Sequence, residues 1–110
     1  MGKSQRTKGH SWERQVASDM RSVGFEKARR ALEYHPDDAK GVDLQDTGKF
    51  DVQCKALKIQ PGIPAVMKEI KGKPEQIPVI VFKIDNRGSY AAFKYEDALM
   101  LMSLFHKTCH

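Results

Sequence analysis

Between Pro78 and Ile84 the chain reads Pro-Val-Ile-Val-Phe-Lys-Ile, an apolar run with no alternation. A strand with one solvated face would alternate, so this pattern marks a strand buried on both faces. The rest of the chain must therefore cover two sides of a central strand. Asp85-Asn86-Arg87-Gly88 has turn composition, and Ser89–Lys94 is predicted to return as a neighbouring strand. Upstream, Gln60-Pro61-Gly62 breaks the chain. Pro64 then suits the first turn of a helix with Ile63, Val66, Met67 and Ile70 on one face. A final helix is predicted from Tyr95 to about Phe105, with Ala98, Leu99, Met102 and Phe105 on one face, widened by Met100, Leu101 and Leu104. That is more apolar surface than its own sheet requires. A two-fold homodimer would cover it, and so would a well-buried terminal helix in a monomer.

The first helix carries an anomaly. Ser11 is a good cap for a helix from Trp12 to about Val23, and Gly24-Phe25 a good stop. Trp12, Val16, Ala17, Met20 and Val23 form an apolar stripe, while Arg14, Gln15, Ser18, Arg21 and Ser22 face away. Glu13 falls inside the stripe. A carboxylate on a core face must be protonated, paired with a cation or bound to a metal, because an isolated buried charge costs several kcal/mol or more. A salt bridge to Arg or Lys and a metal site both satisfy that requirement.

A second cluster of polar residues lies on strands. Phe50, Val52, Cys54 and Ala56 alternate with Asp51, Gln53 and Lys55, the period-2 pattern of a half-buried strand. Asp46-Thr47-Gly48 is a hairpin turn joining it to a short Val42-Asp43-Leu44 strand, with Asp43 near that strand's C-terminal end. The turn would bring Gln53 and Lys55 back beside Asp43. Two oxygen donors next to a lysine suit a hard divalent cation and a reacting phosphate. The solvated face of an antiparallel hairpin accounts for the same alternation. Lys27–Tyr34, with Ala28, Leu32 and Tyr34, is a candidate first strand of poor alternation. Its Arg29 and Arg30 either face a phosphate or are simply exposed.

At 110 residues the chain makes one domain, and 40% hydrophobic with 30% charged residues fits a soluble globular protein. A net charge of +5 favours a polyanionic partner. No apolar run suits a membrane span and no signal-peptide pattern is visible. Cys54 and Cys109 do not form a disulfide framework, so a reducing cytoplasm is expected. The segment 1–10, with Lys3, Arg6 and Lys8, is expected as a flexible basic arm ahead of a domain over residues 11–110. His106, Cys109 and His110 at the tail lack the further ligands that a structural zinc site needs. There is no Gly-rich phosphate loop and no credible Ser-His-Asp set.

In order and spacing, Lys8-Gly9 and Glu13-Arg14 at the opening helix, Gly41-x-Asp43-Leu44, and Gln53-Cys54-Lys55 on the next strand resemble the restriction-endonuclease-like nuclease superfamily. Within it they are most similar to the small archaeal and phage Holliday-junction resolvases. The resemblance implies an α/β fold with a mixed central sheet flanked by helices. It also implies a homodimer that hydrolyses phosphodiesters in branched DNA, the four-way junction, during recombination and repair. The setting would be the cytoplasm of a cell or of a virus-infected host cell. By the same resemblance Glu13, Asp43, Gln53 and the Cys54 backbone carbonyl would hold Mg²⁺, with Mn²⁺ as a substitute. Glu13 would act directly or through a water, and Lys55 would orient the attacking water or stabilise phosphate charge. Lys8, Arg14, Arg29, Arg30 and Lys58 are the expected DNA contacts. Two departures stand out. Gln53 replaces the family's usual acidic residue, which removes one negative charge. Pro36-Asp37 imitates the motif's first carboxylate, but it lies in a loop-like Pro36-Asp37-Asp38 stretch, and Asp43 is the better match. Another restriction- or repair-type nuclease of the superfamily, or a non-catalytic DNA-binding protein that keeps the fold, fits the same residues.

Overall fold

The apolar run becomes the middle strand of the sheet, with helices on both of its faces. The computed structural model describes residues 2–31 and 41–109, with side chains from Lys8 onward. In chain order the elements are α1 (Gly2–Ser22), β1 (Arg29–Arg30), β2 (Leu44–Gln45), β3 (Phe50–Leu57), α2 (Ile63–Glu69), β4 (Ile77–Ile84), β5 (Gly88–Phe93) and α3 (Tyr95–Thr108). Strands β3, β4 and β5 form a mixed sheet in that order, β3 parallel to β4 and β4 antiparallel to β5. Strands β1 and β2 form a small separate antiparallel pair. The fold is α/β. Among the described residues no helix is long and apolar enough to cross a membrane.

Each face of β4 belongs to a different core, which is why its sequence does not alternate. On one face Val79 joins Val52, Cys54, Leu44 and the α1 residues Trp12, Val16 and Ala17. On the other, Ile80 and Phe82 pack against Val66 of α2, with Ile63, Met67 and Ile70 around them. The indole N–H of Trp12 donates to the Val81 carbonyl at 3.1 Å, locking α1 onto the sheet. The parallel β3–β4 connection needs a crossover longer than a hairpin, and α2 provides it. Its Pro64 stands in the first helical turn as expected.

The turns follow their sequence signals. Asp46 and Gly48 adopt φ values of 60° and 61°, and the Thr47 hydroxyl donates to the Phe50 carbonyl at 2.7 Å. Asn86, at φ 61°, turns β4 into β5.

Several boundaries differ from the sequence expectation. Helix α1 begins at Gly2 rather than Trp12, so Gly2 to His10, expected as part of a flexible arm over residues 1–10, is helical. No proline interrupts that stretch, and Lys8 Nζ is tied to Asp85 Oδ1 at 2.7 Å. A capping signal at Ser11 does not stop a helix that nothing upstream breaks. Of the candidate strand over Lys27–Tyr34, the described residues show Arg29–Arg30 as strand; its Leu32 and Tyr34 lie outside the described residues, as do Pro36, Asp37 and Asp38. Asp43 is not at the C-terminal end of a strand. It directly precedes β2, whose ladder partner is β1 rather than β3.

Helix α3 is longer than expected and unlike the other helices. None of its residues is buried, and none joins either core. Tyr95, Met102 and Phe105 are 76%, 64% and 71% exposed. Among the described residues nothing buries this helix.

Candidate functional site

The site is built on the free edge of β3. The Asp43 N–H donates to the Val52 carbonyl at 2.7 Å, and the Cys54 N–H donates to Asp43 Oδ2 at 2.7 Å. A main-chain bond and a side-chain bond thus hold Asp43 against the edge between Val52 and Cys54. The Ala31 N–H donates to the Asp43 carbonyl at 2.8 Å and fixes the residue from the other side. The approach to Asp43 requires a glycine. Gly41 has φ +77°, and a Cβ there would lie 2.1 Å from the Glu69 carbonyl oxygen. The chain therefore passes hard against the C-terminal end of α2 immediately before it delivers Asp43.

Two layers converge on this edge. Val52 and Cys54 point into the α1 core, so the alternating Gln53 and Lys55 belong to the α2 face. Glu13 approaches from α1. Its Oε1 accepts from Arg30 Nε at 2.8 Å, with both side chains mostly buried. Glu13 is thus paired with a cation, one of the ways a carboxylate on the core face can be satisfied. Lys55 Nζ lies 3.9 Å from Glu69 Oε2.

Electrostatics single out Asp43. Burial raises its pKa from the ordinary 3.8 to about 6. The Cys54 hydrogen bond opposes that rise, Glu13 adds to it, Lys55 opposes it and Glu69 adds to it. Glu13, Lys55 and Glu69 are thus all within electrostatic reach of Asp43. Burial also pushes the Cys54 thiol well above its usual range, helped by the charges of Asp43 and Glu13. Cys54 stays a protonated, inert core residue whose contribution to the site is its backbone. Gln53 is buried, and its Oε1 has no hydrogen-bond partner among the described residues. A buried amide oxygen without a partner forfeits about 1–3 kcal/mol of solvation.

Of the residues expected from sequence, Glu13, Asp43, Gln53, Cys54 and Lys55 all lie on or beside this edge. The expected DNA contacts are more dispersed. Arg30 holds Glu13, Arg29 pairs with Asp46, and Lys8 pairs with Asp85, while Arg14 and Lys58 are exposed. Sequence reasoning missed Glu69. It stands in the last turn of α2 and reaches Lys55 only because the crossover packs back on the sheet, so no local signal marks it. Among the described residues no three His, Cys, Asp or Glu side chains are gathered closely enough to hold a metal ion by themselves. No family model, no curated protein and no solved structure matches this chain.

Proposed function

We propose that this protein is a metal-dependent endonuclease of the restriction-endonuclease-like superfamily that hydrolyses phosphodiesters in branched DNA, as the Holliday-junction resolvases it resembles do. The observation that carries the reading is Asp43. A carboxylate is held at a sheet edge where its ionisation is disfavoured, between Glu13 on one side and Lys55 on the other. Holding that carboxylate ionised costs the fold stability, and sites tuned for chemistry are where such arrangements gather.

The donor set fits a hard divalent cation. Asp43 and Gln53 Oε1, which has no partner among the described residues, offer oxygens whose burial a cation would offset. Mg²⁺, or Mn²⁺ in its place, would be held by Asp43, Gln53 and the Cys54 carbonyl, with Glu13 direct or through a water. The substrate phosphate supplies the charge that Gln53 does not. When bound, the cation polarises the phosphate and acidifies a water. Lys55 faces the negative charge that develops on the phosphate oxygens, and Glu69 steadies its ammonium. Arg30 holds the Glu13 carboxylate in place. In the overall reaction a water oxygen attacks phosphorus, one P–O ester bond breaks, and the leaving oxygen takes up a proton.

Helix α3 supports a homodimer, because among the described residues none of its apolar side chains is buried. Two copies would place paired sites on the two strands a junction must have cut. The free cysteines suit a reducing cytoplasm.

The test is incubation of labelled four-way junction and linear duplex with the protein and Mg²⁺. The junction should be cut, and Asp43→Asn and Lys55→Ala should abolish cutting while leaving junction binding in EDTA largely intact, because phosphate contacts dominate affinity. Asp37→Asn should cut far better than Asp43→Asn. Equal cutting of duplex would replace the junction substrate with a restriction- or repair-type one. The pairing of Glu13 with Arg30 and the uncharged Gln53 favour a second reading, a non-catalytic DNA-binding protein. Binding in EDTA with no cleavage at any Mg²⁺ or Mn²⁺ concentration would establish that one.

A further inference from the structure

A single row of side chains crosses the α2 face of the sheet. Lys55 on β3 is paired in register with Phe82 on β4, and Phe82 with Tyr90 on β5. With strands about 4.8 Å apart, Tyr90 lies about 10 Å across the sheet from Lys55. Phe82 is buried and forms a floor, whereas Tyr90 is 51% exposed. The two rings are 5.6 Å apart and inclined by 30°, which leaves an aromatic step facing outward. The Tyr90 hydroxyl donates to the Arg87 carbonyl at 2.7 Å, so the ring is fixed rather than free to turn. With Gln60, Ile84 and Arg87 these rings line an open groove of about 530 Å³.

Arg87 puts a positive charge on the rim of the groove. Among the described residues Arg87 forms no ion pair. The acid of that turn, Asp85, is already taken by Lys8 and lies in the fields of Lys58 and Lys83 as well. A fixed, exposed aromatic ring beside an unpaired guanidinium and an amide suits a flat, polar-edged ring carried on an anionic backbone. A base inside a duplex has no free face to offer, whereas an unpaired nucleotide does.

We propose that this groove takes the base of an unpaired nucleotide, stacked on Tyr90, in the DNA strand that runs from the Asp43–Lys55 site across the sheet, with Arg87 and Lys58 meeting its phosphates. The inference rests on the nucleic-acid reading above and adds a specific binding element to it. It gives the protein a reason to prefer DNA whose strands part over continuous duplex.

Fluorescence anisotropy in EDTA at fixed salt tests it without any cleavage, using a labelled thymidine oligonucleotide and an abasic strand of equal length. The wild-type protein should bind the base-bearing strand about tenfold more tightly, the effect expected of one stacked base. Tyr90→Leu should erase that preference while leaving the abasic strand's affinity unchanged, and Tyr90→Phe should retain it. Equal affinity of the wild-type protein for the two strands overturns the proposal, and that comparison needs no variant to fold. A preference that survives in Tyr90→Leu also overturns it. A base preference in a protein that cleaves nothing leaves the groove standing and removes only the nuclease. Junction cleavage without a base preference removes only the groove.

Discussion

Replacing Asp43 by Asn is predicted to stabilise the metal-free protein at neutral and basic pH, although loss of a buried hydrogen-bonding residue normally destabilises. The amide retains an oxygen for the Cys54 N–H, which donates to the carboxylate at 2.7 Å. What disappears is the ionisable group. Burial is the largest cause lifting the Asp43 pKa from 3.8 to about 6, against the lowering effect of the Cys54 hydrogen bond. A carboxyl whose folded pKa lies above its unfolded one favours folding most when protonated. That contribution is complete below the unfolded pKa and is lost as pH rises through the folded one. The gap is roughly 2 pH units, which at about 1.36 kcal/mol per unit amounts to about 3 kcal/mol. Urea unfolding in EDTA at constant ionic strength measures it. The Asn variant should be more stable by about 2–3 kcal/mol near pH 8, with the advantage shrinking by about 2 kcal/mol near pH 4. The signature is the change with pH, because any fixed difference between an amide and a neutral acid cancels. A stability difference that is the same at both pH values would refute the claim that Asp43 is held ionised at a cost.

Three further outcomes are expected. Light scattering should report about twice the 12.5 kDa chain mass, and Met102→Glu with Phe105→Glu should reduce it to one chain; a wild-type monomer would leave the apolar surface of α3 without the partner assigned to it. Gln53→Glu should tighten Mg²⁺ or Mn²⁺ binding in calorimetric titration by about 1–2 kcal/mol, and unchanged affinity alongside a null Asp43→Asn titration would show that Gln53 is not a ligand. Gly41→Ala should destabilise by about 2 kcal/mol or more, combining left-handed backbone strain with a Cβ driven into the α2 backbone; a variant as stable as the parent in urea unfolding would mean that the loop has room to shift.

Local signals gave much of the scaffold. The unalternating Pro78–Ile84 run, the Asn86 turn and Pro64 at the start of α2 each depend on neighbours within a few residues, and each forms as read. What sequence could not supply depends on distant partners. Strand β2 pairs with the two-residue β1, too short to carry any period. Asp43 therefore stands before a strand instead of inside one, and it reaches β3 by hydrogen bonds at the edge. The wheel of α3 shows an excess of apolar residues, but a wheel cannot say that the sheet leaves them unburied. The partners of Glu13 and Lys55, which are Arg30 and Glu69, come from different elements and meet only in the folded chain.

Those partners explain why Asp43 is the point on which the site turns. Glu13 has a guanidinium at 2.8 Å and Lys55 a carboxylate at 3.9 Å, so each has a charged partner before any ligand arrives. The direct partner of the Asp43 carboxylate is a backbone N–H, a dipole rather than a charge. Its negative charge is the least balanced of the set, and a cation placed there gains the most. Binding a cation to the folded state alone adds stability as the ligand concentration exceeds its dissociation constant. The advantage of Asp43→Asn in EDTA should therefore shrink or reverse when Mg²⁺ is added with a phosphodiester ligand, because only the wild-type protein gains. An advantage untouched by Mg²⁺ at every concentration would mean that the buried carboxylate serves something other than a metal.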